Sequence, residues 1–138
     1  MPRLCGSRQA DTSMNKILLA FSLALIAFAP AAGAAPGNPV KGKQVYAKCM
    51  ACHKLDSSGA SMLGPNLYKV VNRPIASVKT FKYSPAMMQT KGKWTPALLD
   101  AYLAAPSKAI PGNRMPFAGL SKAEDRADVI AYIVASSK

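Results

Sequence analysis

Cys49-Met50-Ala51-Cys52-His53 sets two thiols three positions apart with an imidazole directly after the second. Thiols one helical turn apart can each add to one vinyl group of a single porphyrin, and the next residue brings an imidazole under the iron. Cys-x-x-Cys-His is therefore the attachment spacing of c-type haem. Competing chemistries lack parts. Structural zinc needs four nitrogen or sulfur ligands, whereas the chain has one further cysteine, Cys5, and no further histidine. A dithiol redox pair wants a βαβ setting, and nothing around these residues reads as strands. The stretch predicts one haem c, covalently joined through Cys49 and Cys52, with His53 as proximal ligand.

Upstream, Asn15-Lys16 precede an apolar run from Ile17 to Ala29 and the small residues Ala31-Ala32-Gly33-Ala34-Ala35. A basic start, a short apolar core and an Ala-x-Ala-like end make a secretory signal peptide. We expect residues 1–34 to be that signal, with translation starting at Met14 and cleavage after Ala34, and residues 35–138 to form one domain. The run is short for a membrane span; an uncleaved signal serving as anchor is the alternative. Export to the periplasm suits thiols that must meet haem outside the reducing cytosol. The 138 residues carry 18 Lys plus Arg against 6 Asp plus Glu, a formal net charge of +12. Such a balance speaks to partners rather than fold. With no interleaving of basic and aromatic residues, nucleic acid is not expected; acidic protein faces are, with membranes contacted only peripherally.

Downstream, the apolar residues recur at helical rather than strand spacing. A first helix is predicted from Val40 to about Cys49, with Val45, Tyr46 and Cys49 inward. Ser84-Pro85 and Thr95-Pro96 each place a capping hydroxyl before a proline, the signature of a helix start. Ser121-Lys122-Ala123-Glu124 reads as a capping box opening a last helix with Ala123, Ala127, Ile130 and Val134 as its inner stripe. Loops are predicted for residues 55–65, 71–81 and 106–119, and loops of that length need an external reason such as a cofactor to wrap.

A low-spin haem needs a sixth ligand; an oxygen-binding or catalytic haem leaves it open. With His53 the sole histidine, methionine is the candidate. Met50 lies inside the attachment motif, Met62 is close to it in sequence, and Met87 and Met88 fall in a short helix, where methionine commonly fills core. Met115, in Pro111-Gly112-Asn113-Arg114-Met115-Pro116-Phe117, sits on a proline-bracketed segment suited to holding a side chain rigidly, and is favoured over the others.

The motif at 49–53, Gly64-Pro65-Asn66-Leu67, Phe81-Lys82-Tyr83-Ser84, Lys93-Trp94, residues 110–119 and Asp125-Arg126-Ala127-Asp128-Val129-Ile130-Ala131-Tyr132 together resemble class I cytochrome c, of the bacterial c2-like kind related to the mitochondrial protein. The resemblance spans nearly all of residues 37–136. It implies an all-α fold of three main helices, short helices and long loops wrapped around one haem, with His53 and Met115 as iron ligands. It further implies that Pro65 offers its carbonyl to His53. Tyr83, Ser84, Trp94 and Asn113 would bond the haem propionates, with Arg73 nearby to offset their charge. Tyr102 would lie beside the Met115 sulfur, Phe117 would cover the haem edge, and Gly42 and Tyr132 would mark the crossing of the first and last helices. Two departures stand out. The family's Gly-x-x-Gly-Arg is Lys69-Val70-Val71-Asn72-Arg73 here, and Met87 replaces the amide of the mitochondrial branch, which should make the haem crevice drier.

The function so implied is a monomeric periplasmic one-electron carrier, not an enzyme. Lys48, Lys91, Lys108, Arg114 and Lys122 are candidates for a basic ring that meets acidic docking faces of a bc1 complex, a terminal oxidase, a reaction centre or a dehydrogenase. A haem enzyme or gas-binding protein with an open distal site is the alternative from another class.

Overall fold

The computed structural model describes residues 36–138; the expected signal peptide at 1–34 and its cleavage point lie outside them. Among the described residues five helices form: α1 (Pro39–Tyr46), α2 (Pro85–Gln89), α3 (Pro96–Ala104), α4 (Pro106–Ala109) and α5 (Ala123–Ala135). Among the described residues no strand forms, only an isolated antiparallel bridge between Pro74 and Lys93.

Proline and a polar cap open each of the first three helices. Asn38 Oδ1 accepts from the amides of Val40 (2.9 Å) and Lys41 (3.3 Å). Ser84 Oγ accepts from Met87 at 3.2 Å and Thr95 Oγ1 from Leu98 at 3.1 Å, satisfying amides with no partner inside the helix. The first helix is shorter than predicted. It ends at Tyr46, after which tight turns carry the chain through Cys52, with the amides of Cys49 and Met50 both bonded to the Tyr46 carbonyl at 2.7 and 3.1 Å.

The capping box does not form. Lys122 occupies the N-cap position of α5 without a side-chain bond, one residue later than the Ser-x-x-Glu pattern requires. Glu124 is drawn instead to Lys41 at 3.0 Å, and Arg126 Nη1 holds the backbone just before α5 by donating to the carbonyls of Leu120 (2.8 Å) and Ser121 (3.0 Å). The inner face of α5 also differs from the predicted stripe. Asp128, Val129, Ile130 and Ile133 are buried, while Val134 is 41% exposed. The cause is contact on two sides, with α1 and with α3, which buries a broader and rotated face.

The α1–α5 crossing is close because Gly42 is there. A Cβ at residue 42 would run into the carbonyl of Asp128 and the Cβ of Tyr132. Beside it the Tyr46 and Tyr132 rings pack at 5.3 Å, and the buried Asp128 carboxylate accepts from the Asn38 amide at 2.6 Å. Arg126 fastens α5 to α3 through Asp100, Nε to Oδ1 at 2.7 Å. Tyr46, Leu99, Tyr102, Leu120, Val129 and Ile133 lie in the resulting core, which continues through Val70, Ile75, Met87 and Trp94.

Two loops differ in detail from expectation. The segment predicted as loop from 106 contains α4, started by buried Pro106. The loop lacking the family's glycines keeps left-handed backbone without them: φ is 52° at Lys69, 65° at Asn72 and 55° at Ala76. Asn72 tolerates that region, and its amide donates to the Trp94 carbonyl at 2.8 Å. Lys69 does not tolerate it easily; its amide is tied to Ser137 Oγ at 3.0 Å.

Candidate haem site

The turns after α1 bring Cys49, Cys52 and His53 into one short arc, the His53 amide donating to the Cys49 carbonyl at 2.9 Å. The next loop folds back alongside, with Gly64 N bonded to Cys52 O (2.8 Å) and Leu67 N to Lys54 O (2.9 Å). That return puts Pro65 O 2.7 Å from His53 Nδ1. A carbonyl only accepts, so Nδ1 carries the proton and Nε2 keeps the lone pair. Burial holds the His53 pKa below its ordinary value, opposed by the Pro65 bond, so the ring is neutral at physiological pH. Gly64 permits the arrangement, since a Cβ there would strike the ring. Buried Asn66 and Tyr46, which the sequence does not single out as site residues, complete it. The Asn66 amide group donates to Asp56 O at 3.0 Å and its oxygen accepts from Tyr68 N at 2.8 Å; the Tyr46 hydroxyl donates to His53 O at 3.0 Å.

Both cysteines are free thiols. Burial raises the Cys49 pKa, with a smaller push from Cys52 and an opposing pull from Lys48.

The second arm of the site is the segment after α4. Asn113 donates through Nδ2 to the carbonyls of Pro106 and Ile110, both at 2.8 Å, and accepts at Oδ1 from Met115 N at 2.9 Å. Asn113, expected to serve a propionate, therefore has its amide committed to the backbone that carries Met115. The Tyr102 hydroxyl, on α3, lies 3.8 Å from Met115 Sδ, and its ring packs on Trp94 at 5.1 Å. Burial pushes the Tyr102 pKa up to about 12, so it is a donor throughout the physiological range.

The other expected contacts divide. Ser84 is buried and acts as acceptor in its cap, which leaves its O–H hydrogen for another acceptor. Tyr83 is half-buried against Phe81, ring to ring at 4.9 Å, and burial raises its pKa. Trp94 is buried and Phe117 half-buried against the core. Arg73, expected near the propionates to offset their charge, donates through Nη1 and Nη2 to Tyr68 O (2.9 Å) and Asn66 O (2.8 Å). Its first task is to close the loop that lacks the glycines.

This donor set fits haem c. The chain offers two free thiols on one turn, a neutral imidazole with its metal-binding nitrogen uncommitted, and a thioether fixed by its own loop. Cys49, Leu67, Tyr83, Leu98, Met115 and Phe117 pack against the core yet stay only partly buried, leaving apolar surface for a porphyrin to cover.

The comparisons agree with the geometry. The model of the cytochrome c family matches residues 39–137. A cytochrome c homolog of Rickettsia felis is 45% identical over 96 residues, covering 70% of this chain and 55% of that protein, so the chain spans little more than half the length of that relative. Cytochrome c2 of Rhodomicrobium vannielii is 39% identical over 120 residues, covering 87% of this chain and 95% of the relative. Among solved structures, cytochrome cH from Methylobacterium extorquens superposes with a TM-score of 0.67 at 31% identity, over 72% of this chain and 99% of that one. An all-helical fold, the Cys49–His53 motif and a near full-length match to a cytochrome c2 converge: the chain belongs to the cytochrome c family of electron carriers, which hold haem c covalently.

Proposed function

We propose that this chain is an exported periplasmic carrier of single electrons, with its iron held by His53 and Met115, and that it works without making or breaking substrate bonds. The bound haem supplies a one-electron Fe(II)/Fe(III) couple. The protein tunes and steadies that couple. Pro65 fixes the plane of the His53 ring and makes it a stronger ligand. Asn113 holds the backbone of Met115, and the Tyr102 hydroxyl at its sulfur restrains the thioether. Met87, buried at 8% exposure, brings an apolar group where the mitochondrial branch has an amide, and keeps water out. Ser84, Tyr83 and Trp94 remain suited to the propionates. The exposed cations Lys48, Lys91, Lys108, Arg114 and Lys122 present a basic face to acidic docking surfaces of a bc1 complex, an oxidase, a reaction centre or a dehydrogenase.

The observation that carries this reading is the fixed thioether, with Tyr102 Oη 3.8 Å from Met115 Sδ. A site built to bind a gas or peroxide has no use for a sulfur so restrained. Met115→Ala tests it: the reduced protein should then bind carbon monoxide rapidly and lose the weak near-infrared sulfur-to-iron band. An unchanged spectrum and midpoint would refute the ligand assignment. Mass spectrometry of the exported protein should find Ala35 at its N-terminus; an intact leader would instead mean an anchored carrier.

A further inference from the structure

Tyr46 is tied to both ends of the Cys49–His53 stretch. Its carbonyl accepts from the amides of Cys49 (2.7 Å) and Met50 (3.1 Å), and its hydroxyl donates to the His53 carbonyl at 3.0 Å. The first two bonds belong to the backbone, and any residue at 46 could supply them. The third needs a phenol. That side chain has little freedom to leave: it is 6% exposed, and its ring packs on Tyr132 of α5 at 5.3 Å. Burial raises the Tyr46 pKa, so the hydroxyl keeps its proton, and a buried donor holds on to its acceptor.

His53 is thereby fixed at three points. Its amide donates to Cys49 O at 2.9 Å, its Nδ1–H to Pro65 O at 2.7 Å, and its carbonyl accepts from Tyr46. Cys49 lies in the turns after α1 and Pro65 in the returning loop, whereas Tyr46 ends a helix packed on α5.

We infer that the Tyr46 hydroxyl is a positioning group for His53, pinning its backbone so that Nδ1 keeps its short bond to Pro65 while Nε2 is engaged. The inference rests on His53 being an iron ligand, as proposed above. A phenylalanine at 46 would fill the same space but leave the His53 carbonyl without that donor. The peptide after His53 could then turn, and the slack would fall on the Nδ1–H bond to Pro65. A weaker bond there makes the imidazole less basic, and a less basic ligand favours the oxidised iron less.

The test compares holoprotein carrying Tyr46→Phe with Tyr132→Phe, which takes a hydroxyl from the other ring of the pair, and with Val129→Ala, which weakens the core. Solvent exchange is read in the reduced state at the His53 Nδ1–H and at the Ile130 amide, which reports opening of the domain as a whole. In Tyr46→Phe the ratio of the two rates should rise about tenfold, and in the other variants it should barely move. The reduced-to-oxidised ratio at fixed potential should about double, a midpoint about 18 mV higher at about 59 mV per tenfold. Both axial ligands should persist in the optical spectrum. Equal acceleration at His53 and Ile130, or an unmoved midpoint, would make Tyr46 a packing residue and overturn the inference. If Met115→Ala still abolishes the sulfur-to-iron band in that case, the inference fails alone and the carrier reading stands. A parent spectrum without a nitrogen–sulfur axial pair would overturn both.

Discussion

At the scale of single residues, Lys69 shows how the fold carries a sequence that fits it poorly. A non-glycine residue in left-handed backbone costs about 1–2 kcal/mol, and Lys69 sits there at φ 52°. Its exposed side chain stands over the half-buried ring of Tyr68, Nζ 5.5 Å from the centroid, so little is lost by removing it. Lys69→Gly should stabilise the protein by roughly 1 kcal/mol, measured as a shift in denaturant midpoint at unchanged slope; destabilisation would mean that the cation–ring contact outweighs the strain. Asp56 permits a pH prediction. Its carboxylate accepts from the Ser58 amide at 2.9 Å, and Ser58, first through its side chain and then its backbone, holds the Asp56 pKa below the ordinary 3.8. A depressed folded pKa contributes stability that is complete above the unfolded value and lost as pH falls through the folded one. The Asp56 carboxyl resonance should therefore titrate with a midpoint under 3.8, and an Asp56→Asn variant should lose less stability than the parent on acidification below that point. Cys49, Cys52 and His53 were legible because their chemistry needs a fixed spacing. The roles of Asn113 and Arg73 were not, because an amide or guanidinium can serve backbone or ligand and only the local course of the chain decides which.

At the scale of elements, what the sequence shows best is where a helix begins. Ser84 and Thr95 each stand before a proline, and each caps its helix, because cap and proline act within one turn; Asn38 and Pro39 do the same for α1, one residue before the predicted start at Val40. The exception is instructive. Ser121 and Glu124 satisfy the capping pattern, yet Lys41 takes Glu124, a partner on α1 that local spacing does not reveal. The same limit applies to the inner face of α5, which α1 and α3 determine together. Gly42 carries the α1 contact. Gly42→Ala would drive a methyl into the Asp128 carbonyl, between two backbones that cannot yield as a flexible side chain could. We expect a loss of about 2 kcal/mol or more, seen as a fall of roughly 10 °C in melting temperature, with the haem spectrum of the folded protein unchanged because the atoms nearest a Cβ at residue 42 belong to Asp128 and Tyr132, not to His53 or Met115. A melting temperature within a degree or two of the parent would show that the two helices can separate at little cost.

At the scale of the whole molecule, charge and cofactor divide the work. The helices and loops leave apolar surface partly covered, and a domain of this size buries a modest core unaided, so stability and haem attachment should be coupled. Charge governs encounter instead. The full chain carries a net +12, and two ion pairs among the described residues neutralise only Lys41 and Arg126, leaving Lys48, Lys91, Lys108, Arg114 and Lys122 exposed. Such a surface raises the rate of meeting an acidic partner far more than it tightens the complex. Screening shortens the reach of this attraction to about 10 Å at 0.1 M salt. The second-order rate of electron transfer to an acidic redox protein should therefore fall at least about tenfold between low salt and roughly 0.3 M, in stopped-flow measurements at fixed protein concentrations. Replacing Lys48 and Lys108 by glutamine should lower the low-salt rate and flatten the slope, while the rate at high salt, where steering is screened, stays near the parent's. A rate that ignores salt would refute steering without touching the proposed ligation of the iron, because encounter depends on the charged exterior, whereas the proposed ligands His53 and Met115 are held by the backbone and by buried groups.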